Sequence, residues 1–158
     1  MANTQAMATS FMGELMTATH NFGASPTRAG STADTFKAAL YLASATVNAS
    51  TTAYSSSGEV TGSNYVAGGV TVTNATAPLA TNSSTTAGVA YWTPSASITY
   101  TTVTLSTAFD AVLIYNSTQS NKAVSVHTFG SQTITAGTFT LTMPSNTTST
   151  GLLRLATT

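Results

Sequence analysis

The stretch that decides the fold is AVLIYNSTQSNKAVSVHTFG, at residues 111–130. Residues 111–115 are an uninterrupted apolar run, too short for a globular helix and rich in β-branched and aromatic side chains, which favours a strand buried on both faces. Residues 116–122 carry Asn, Ser and Thr side chains that bond to nearby backbone and favour a turn. In residues 123–130 apolar and polar side chains alternate imperfectly, as they do in a strand with one face more buried than the other. The stretch therefore predicts a β-hairpin at the centre of the core.

Strand-like segments recur on both sides of this hairpin. Residues 35–43 alternate in the manner of a strand, although their Ala-Ala-Leu also suits a helix, and we interpret them as a strand. Further candidates, separated by Gly, Pro, Ser and Asn, lie at 65–75, 89–93, 98–105, 132–135, 138–143 and 151–156. Roughly eight short strands at this spacing predict a mainly β protein with a single antiparallel β-sandwich.

An N-terminal α-helix is predicted over residues 4–22. Met7, Phe11, Leu15 and Phe22 recur at helical steps and share one stripe. Two interpretations remain open. The stripe packs on its own domain, or it is a methionine-rich face that docks on a partner subunit, since flexible thioethers adapt to surfaces. On the second interpretation these four residues form the candidate partner interface.

The chain of 158 residues is long enough for one domain with a substantial core. We expect a single domain over residues 1–158, with the helix at 4–22 and the sandwich at 33–158. The chain contains no cysteine, so the fold has no disulfide framework. The N-terminus does not resemble a secretory signal, and synthesis in a cytoplasm is expected.

Charge is unusually scarce. Charged residues make up 5% of the chain, and the formal net charge is zero. Nucleic acid needs a basic surface, which is missing, and anionic membranes are disfavoured for the same reason. A near-neutral surface of Thr, Ser, Asn and Gly gives weak protection against self-association, and the expected working state is an assembly.

The chain has few side chains of the kinds that catalyse reactions, and no enzyme is expected. The four acids, Glu14, Asp34, Glu59 and Asp110, form no paired acid–base motif. His20 and His127 lack a third ligand at chelating spacing, so neither a metal nor a cofactor is expected. No Gly-x-Ser-x-Gly elbow and no phosphate-binding glycine loop occurs. The best catalytic pair that can be named is His127 with Asp110.

The aromatic residues offer a different kind of site. Tyr91, Trp92 and Tyr100, with Tyr115, could line a sugar-binding face. The simpler alternative is that they pack the sandwich and its rim. A carbohydrate-binding module therefore remains a competing function from another class.

Several short segments, in their order along the chain, carry a family resemblance. They are HNF at 20–22, DTFKAALY at 34–41, TAY at 52–54, GEVTG at 58–62, YVAGG at 65–69, AVLIYNS at 111–117, NKAV at 121–124 and GLLRLA at 151–156. Together they resemble a family of small structural proteins of tailed bacteriophages. The resemblance runs over nearly the whole chain and is carried by turns and strands.

The resemblance implies a non-enzymatic virion component, made in the bacterial cytoplasm and present in repeated copies. Its foremost form is a capsid decoration, or cement, protein that binds the major capsid protein as an oligomer, with a trimer expected, and stabilises the shell. The alternative within this class is a tail or head-to-tail connector component. The expected contact is the helix stripe or a strand edge.

Overall fold

The computed structural model describes residues 2–23, 32–74, 77–81 and 88–157. In chain order its elements are β1 (Ala6–Met7), α1 (Thr9–Met16), β2 (Phe36–Leu42), β3 (Val70–Thr71), β4 (Leu79–Ala80), β5 (Val89–Trp92), β6 (Ile98–Asn116), β7 (Lys122–Leu141) and β8 (Leu153–Ala156). The larger antiparallel sheet has the order β1-β7-β6-β2-β3, and the smaller one has the order β4-β5-β8. The predicted fold class, a mainly β, sandwich-like protein with an N-terminal helix, is confirmed.

The predicted central hairpin is confirmed and consists of β6, a polar turn and β7. Leu113 of β6 lies opposite Val126 of β7 and, on its other side, opposite Ala39 of β2. Residues 111–116 are all buried, as are residues 123–126. The apolar run at 111–115 therefore forms a strand with neighbours on both sides and cover on both faces.

The two long strands correct the prediction of short ones. Residues 98–105, 132–135 and 138–143 are predicted as separate strands. The first belongs to β6 and the other two, as far as Leu141, belong to β7; these strands are 19 and 20 residues long. The register between these strands shifts repeatedly, and Thr102 and Ala136 adopt positive φ angles of 50° and 47°. Such bulges take up extra residues without ending a strand. The polar and glycine residues near 106–110 and 130–131 therefore lie at bulges within the long strands and not at turns between short ones.

The hairpin divides into two halves where the register changes. The buried half comprises residues 111–116 of β6 and 122–128 of β7. The open half comprises residues 98–109 and 129–141. In the open half, β6 buries one face only, and β7 alternates between half-buried and exposed positions.

The predicted helix over 4–22 is wrong in its extent, because α1 covers only Thr9–Met16. Before it, Ala6 pairs with Val126 in the larger sheet, so this segment takes its backbone bonds from a strand. After it, Ala18 turns to a positive φ of 53°, which ends the helical path. The Thr17 hydroxyl also donates to the carbonyl of Glu14, a local bond that competes with helix continuation.

An aromatic cluster joins the helix to both sheets. The Phe22 ring lies 4.3 Å from the Phe36 ring of β2 and 4.8 Å from the Trp92 ring of β5. The Phe11 ring of α1 lies 5.9 Å from Phe22 at a steep angle. Edge-to-face and offset contacts at these distances add to the burial of the rings themselves. The cluster holds α1 against the sandwich.

Candidate functional site

The predicted partner interface on α1 lies mostly inside the molecule. Phe11 and Phe22 are 2% and 7% exposed, and Met7 and Leu15 are half-buried. The interpretation in which the stripe packs on its own domain is therefore correct for Phe11 and Phe22. The docking interpretation is wrong for these two side chains, because the core of the sandwich already covers them.

The outer edges of this stripe still reach the surface in an apolar groove. The groove lies between α1 and the smaller sheet and has a volume of about 80 Å³. It is lined by Phe11, Leu15, Phe22, Tyr91, Leu153 and Leu155. Exposed apolar side chains occur on the same elements: Met12 and Met16 on α1, Leu79 on β4 and Leu155 on β8. This apolar groove is the candidate interaction surface of the described residues.

The predicted aromatic surface is wrong for two of its three members. Trp92 and Tyr100 are each 2% exposed. The Trp92 indole N–H donates to Asn74 Oδ1 at 3.0 Å, and the Tyr100 hydroxyl donates to the Ala38 carbonyl at 2.8 Å. Both rings pack the sandwich, as the simpler alternative held. Tyr91 is half-buried and lines the apolar groove.

A chain of polar side chains fastens α1 to the turn of the central hairpin. Glu14 accepts from Lys122 Nζ at 2.6 Å and contacts His20 Nε2 at 2.7 Å. On its other side, His20 Nδ1 lies 3.0 Å from Asn116 Nδ2, which also donates to Asp34 Oδ2 at 2.7 Å. Burial favours a raised pKa for Glu14, but the bonds from Lys122 and His20 outweigh it and lower the pKa.

The turn fixes the protonation pattern of this polar chain. Asn116 Oδ1 accepts the backbone N–H groups of Thr118 and Gln119, so its amide N–H groups must point toward Asp34 and His20. His20 Nδ1 is therefore an acceptor, and the His20 proton on Nε2 donates to Glu14. The imidazole is a structural link between α1 and β6, with one contact on each ring nitrogen.

A second polar cluster surrounds Glu59, which is 6% exposed. Glu59 accepts from the hydroxyls of Tyr54 and Tyr65, both at 2.7 Å, and from the backbone N–H of Gly68 at 2.8 Å. The Tyr65 hydroxyl in turn accepts the backbone N–H of Leu40 on β2. Desolvation, together with the bond to Glu59, raises the pKa of Tyr54 and of Tyr65. The cluster pins residues 54–69 across the larger sheet.

The fourth acid has a comparable internal role. Asp110 accepts from Asn3 Nδ2 at 2.6 Å, and Asn3 Oδ1 accepts the backbone N–H of Val47 at 3.0 Å. The chain has four acidic residues in all. Each of them accepts hydrogen bonds from other segments of its own chain, so the carboxylates act as internal cross-links.

The predicted catalytic pair is not joined among the described residues. His127 Nε2 lies 2.9 Å from Ser125 Oγ, whereas Asp110 bonds to Asn3. Desolvation lowers the pKa of His127 to about 4. An imidazole with this pKa is a weak base at neutral pH, and Ser125 is 1% exposed, so the Ser–His contact is poorly suited to nucleophilic catalysis.

The described ranges contain no cluster of three or more His, Cys, Asp or Glu side chains placed to hold a metal ion. None of their helices has the length and apolar character to cross a membrane. Comparisons with protein-family models, with curated proteins and with solved structures found no match.

Proposed function

We propose that this protein is a non-enzymatic structural component of a tailed-bacteriophage particle, and foremost a capsid decoration protein. The observation that carries the proposal is the use of Glu14, Asp34, Glu59 and Asp110 as internal cross-links. The carboxylates hold the chain together, and most of the exposed polar side chains among the described residues are hydroxyls and amides. The sequence resemblance to phage structural proteins supports the same function.

The proposed mechanism is attachment through shape and apolar area. The apolar groove receives an apolar side chain of the neighbouring major capsid subunit, with Tyr91 and Leu155 at its rim. Because a shell presents the same site many times, modest contacts accumulate when copies are linked to each other. The assembled shell is stabilised because the bound state buries area that free subunits leave exposed.

The direct test is the copy number in purified virions, measured by quantitative mass spectrometry. We expect a count in step with the major capsid protein. A few copies per particle would place the protein in the neck or tail and overturn the decoration function. Absence from virions would overturn the virion function altogether.

The groove is tested separately with a matched pair of variants. Leu155 is 40% exposed at the groove, and Val66 is 71% exposed in a loop away from it. We expect Leu155→Asp to weaken binding to particles about tenfold or more, because it places a charge in an apolar contact. Val66→Asp should bind as the wild type does. Equal binding by both variants would exclude the groove as the capsid contact.

A further inference from the structure

Among the residues that the structure describes, the outer edge of β7 has no hydrogen-bonded partner over most of its length. β1 pairs with β7 only at Val126 and Ser125. Within the described residues, the outer backbone groups of 129–141 form no hydrogen bond with another segment. An exposed edge of this kind presents unpaired N–H and C=O groups that another strand can use.

The opposite edge of the same open half is covered by the chain itself. Thr104 N donates to the Ser63 carbonyl at 3.0 Å, and Asn64 Nδ2 donates to the Thr102 carbonyl at 2.9 Å. Further along β6, Ala43 N donates to the Ala108 carbonyl. The fold therefore covers one edge of the open half and leaves the edge of β7 available.

The β7 edge also lacks the usual features that prevent pairing. No Lys, Arg, Asp or Glu occurs between Lys122 and Arg154, and no proline precedes Pro144 in this part of the chain. Edges that stay single commonly carry charge or proline. Extra residues interrupt β7 as far as Ala136. Leu141, Thr140 and Phe139 then pair in step with β6, and the register shift between Phe139 and Gly137 is taken up by an extra residue of β6, so residues 137–141 of β7 contain no inserted residue. This five-residue segment is the usable part of the edge.

We propose that residues 137–141 pair antiparallel with the same residues of a second copy, about a twofold axis at Phe139. The uncharged edge makes a second copy a suitable partner, because two identical edges meet without like-charge repulsion. Thr138 of one copy then lies opposite Thr140 of the other, a favourable cross-strand pair. The contact uses the open edge of both copies, so it closes as a dimer.

The test is sedimentation of the purified protein over a range of concentrations up to about 100 µM, a range that detects Kd values in the micromolar region. We expect a concentration-dependent dimer. In Thr138→Lys/Thr140→Lys, lysines of the two copies face each other, and dimer affinity should fall at least tenfold. In Thr138→Lys/Thr140→Glu, opposite charges face each other across the axis, and the dimer should be retained.

The matched control is Thr99→Lys/Thr101→Lys, which adds the same charge to exposed positions of β6, one strand further from the edge. It should dimerise as the wild type does. A monomeric wild type, or association that the Lys/Lys variant leaves unchanged, would overturn edge pairing. A Lys/Glu variant as monomeric as Lys/Lys would overturn the axis at Phe139. Because these measurements need no virion, they are independent of the proposed capsid function.

Discussion

The buried and open halves of the central hairpin are made by the same two strands, yet they differ in almost every physical respect. In the buried half the register is nearly continuous, and β2 covers the outer edge of β6. In the open half the register shifts repeatedly, and no described strand pairs with the outer edge of β7. Both halves contain β-branched and aromatic residues, so strand propensity does not distinguish them. They differ in the elements that pack and pair with them.

The difference separates two tasks along one pair of strands. The buried half has cover on both faces and is fastened by His20, Asn116 and the Glu59 cluster. The open half contributes one apolar face to the core and leaves backbone groups free. We infer that the buried half provides the stability of the fold and the open half provides a surface for assembly.

The largest expected effect comes from the same substitution in each half. Ile114 is 1% exposed in the buried half, and Ile134 is half-buried in the open half. We expect Ile114→Ala to lower the free energy of unfolding by about 3 kcal/mol, because it leaves a cavity in a core that cannot collapse fully. Ile134→Ala should cost about 1 kcal/mol. Equal losses in urea unfolding would remove the distinction between the halves.

A smaller effect is expected from the cluster that fastens residues 54–69 over the buried half. Glu59→Gln keeps the shape of the side chain but replaces an acceptor oxygen with a donor amide, which leaves a buried tyrosine or Gly68 N–H unmatched. We expect a loss of about 2 kcal/mol in the free energy of unfolding.

The control for this substitution is Asp110→Asn. Asp110 is only half-buried, and the new amide oxygen can still accept from Asn3. We expect a loss below about 1 kcal/mol in the same unfolding experiment. If the two substitutions cost the same, the Glu59 cluster has no special part in holding the buried half.

The effect that develops most gradually is a dependence on pH that belongs to the buried half. The pKa of His127 is lowered from 6.5 to about 4, so between these values the unfolded chain binds a proton that the folded chain does not. Stability should therefore fall as the pH drops from about 6.5 toward 4, by at most about 1.4 kcal/mol for each pH unit. His127→Gln should flatten the curve of unfolding free energy in this window.

Glu14 provides an internal reference for that experiment. Its lowered pKa means that its contribution is present above its ordinary value of 4.5 and is lost as the pH falls further. A loss of stability above pH 5 that persists in His127→Gln would show that another group is responsible.

The fold was predictable where the signal was local. The run at 111–115 followed by a polar turn gave the central hairpin, and alternation at 35–43 gave β2. The continuation of the hairpin strand through 98–105 was not predictable, because the bulges along the two strands place Thr102 and Ala136 at positive φ. Positive φ usually indicates glycine, and neither residue type suggests it.

The candidate site was less predictable because its residues meet across the chain. His20 and Asn116 are separated by 96 residues, and no local pattern indicates their contact. Alternation placed Trp92 and Tyr100 in strands but could not say which face is inward. The Glu59 cluster did have a signal, since Tyr54 and Tyr65 flank this acid within six residues.

The most direct measurement on the division of tasks is hydrogen–deuterium exchange, followed residue by residue at a low and a high protein concentration. We expect amides of 111–116 and 123–126 to be strongly protected at both concentrations. Those amides of 137–141 that face the outer edge should exchange quickly in dilute protein and become protected in concentrated protein, as the edges pair, whereas the amides that face β6 should be protected at both concentrations. Protection of both halves that is equal and independent of concentration would contradict the assignment of β7 to assembly.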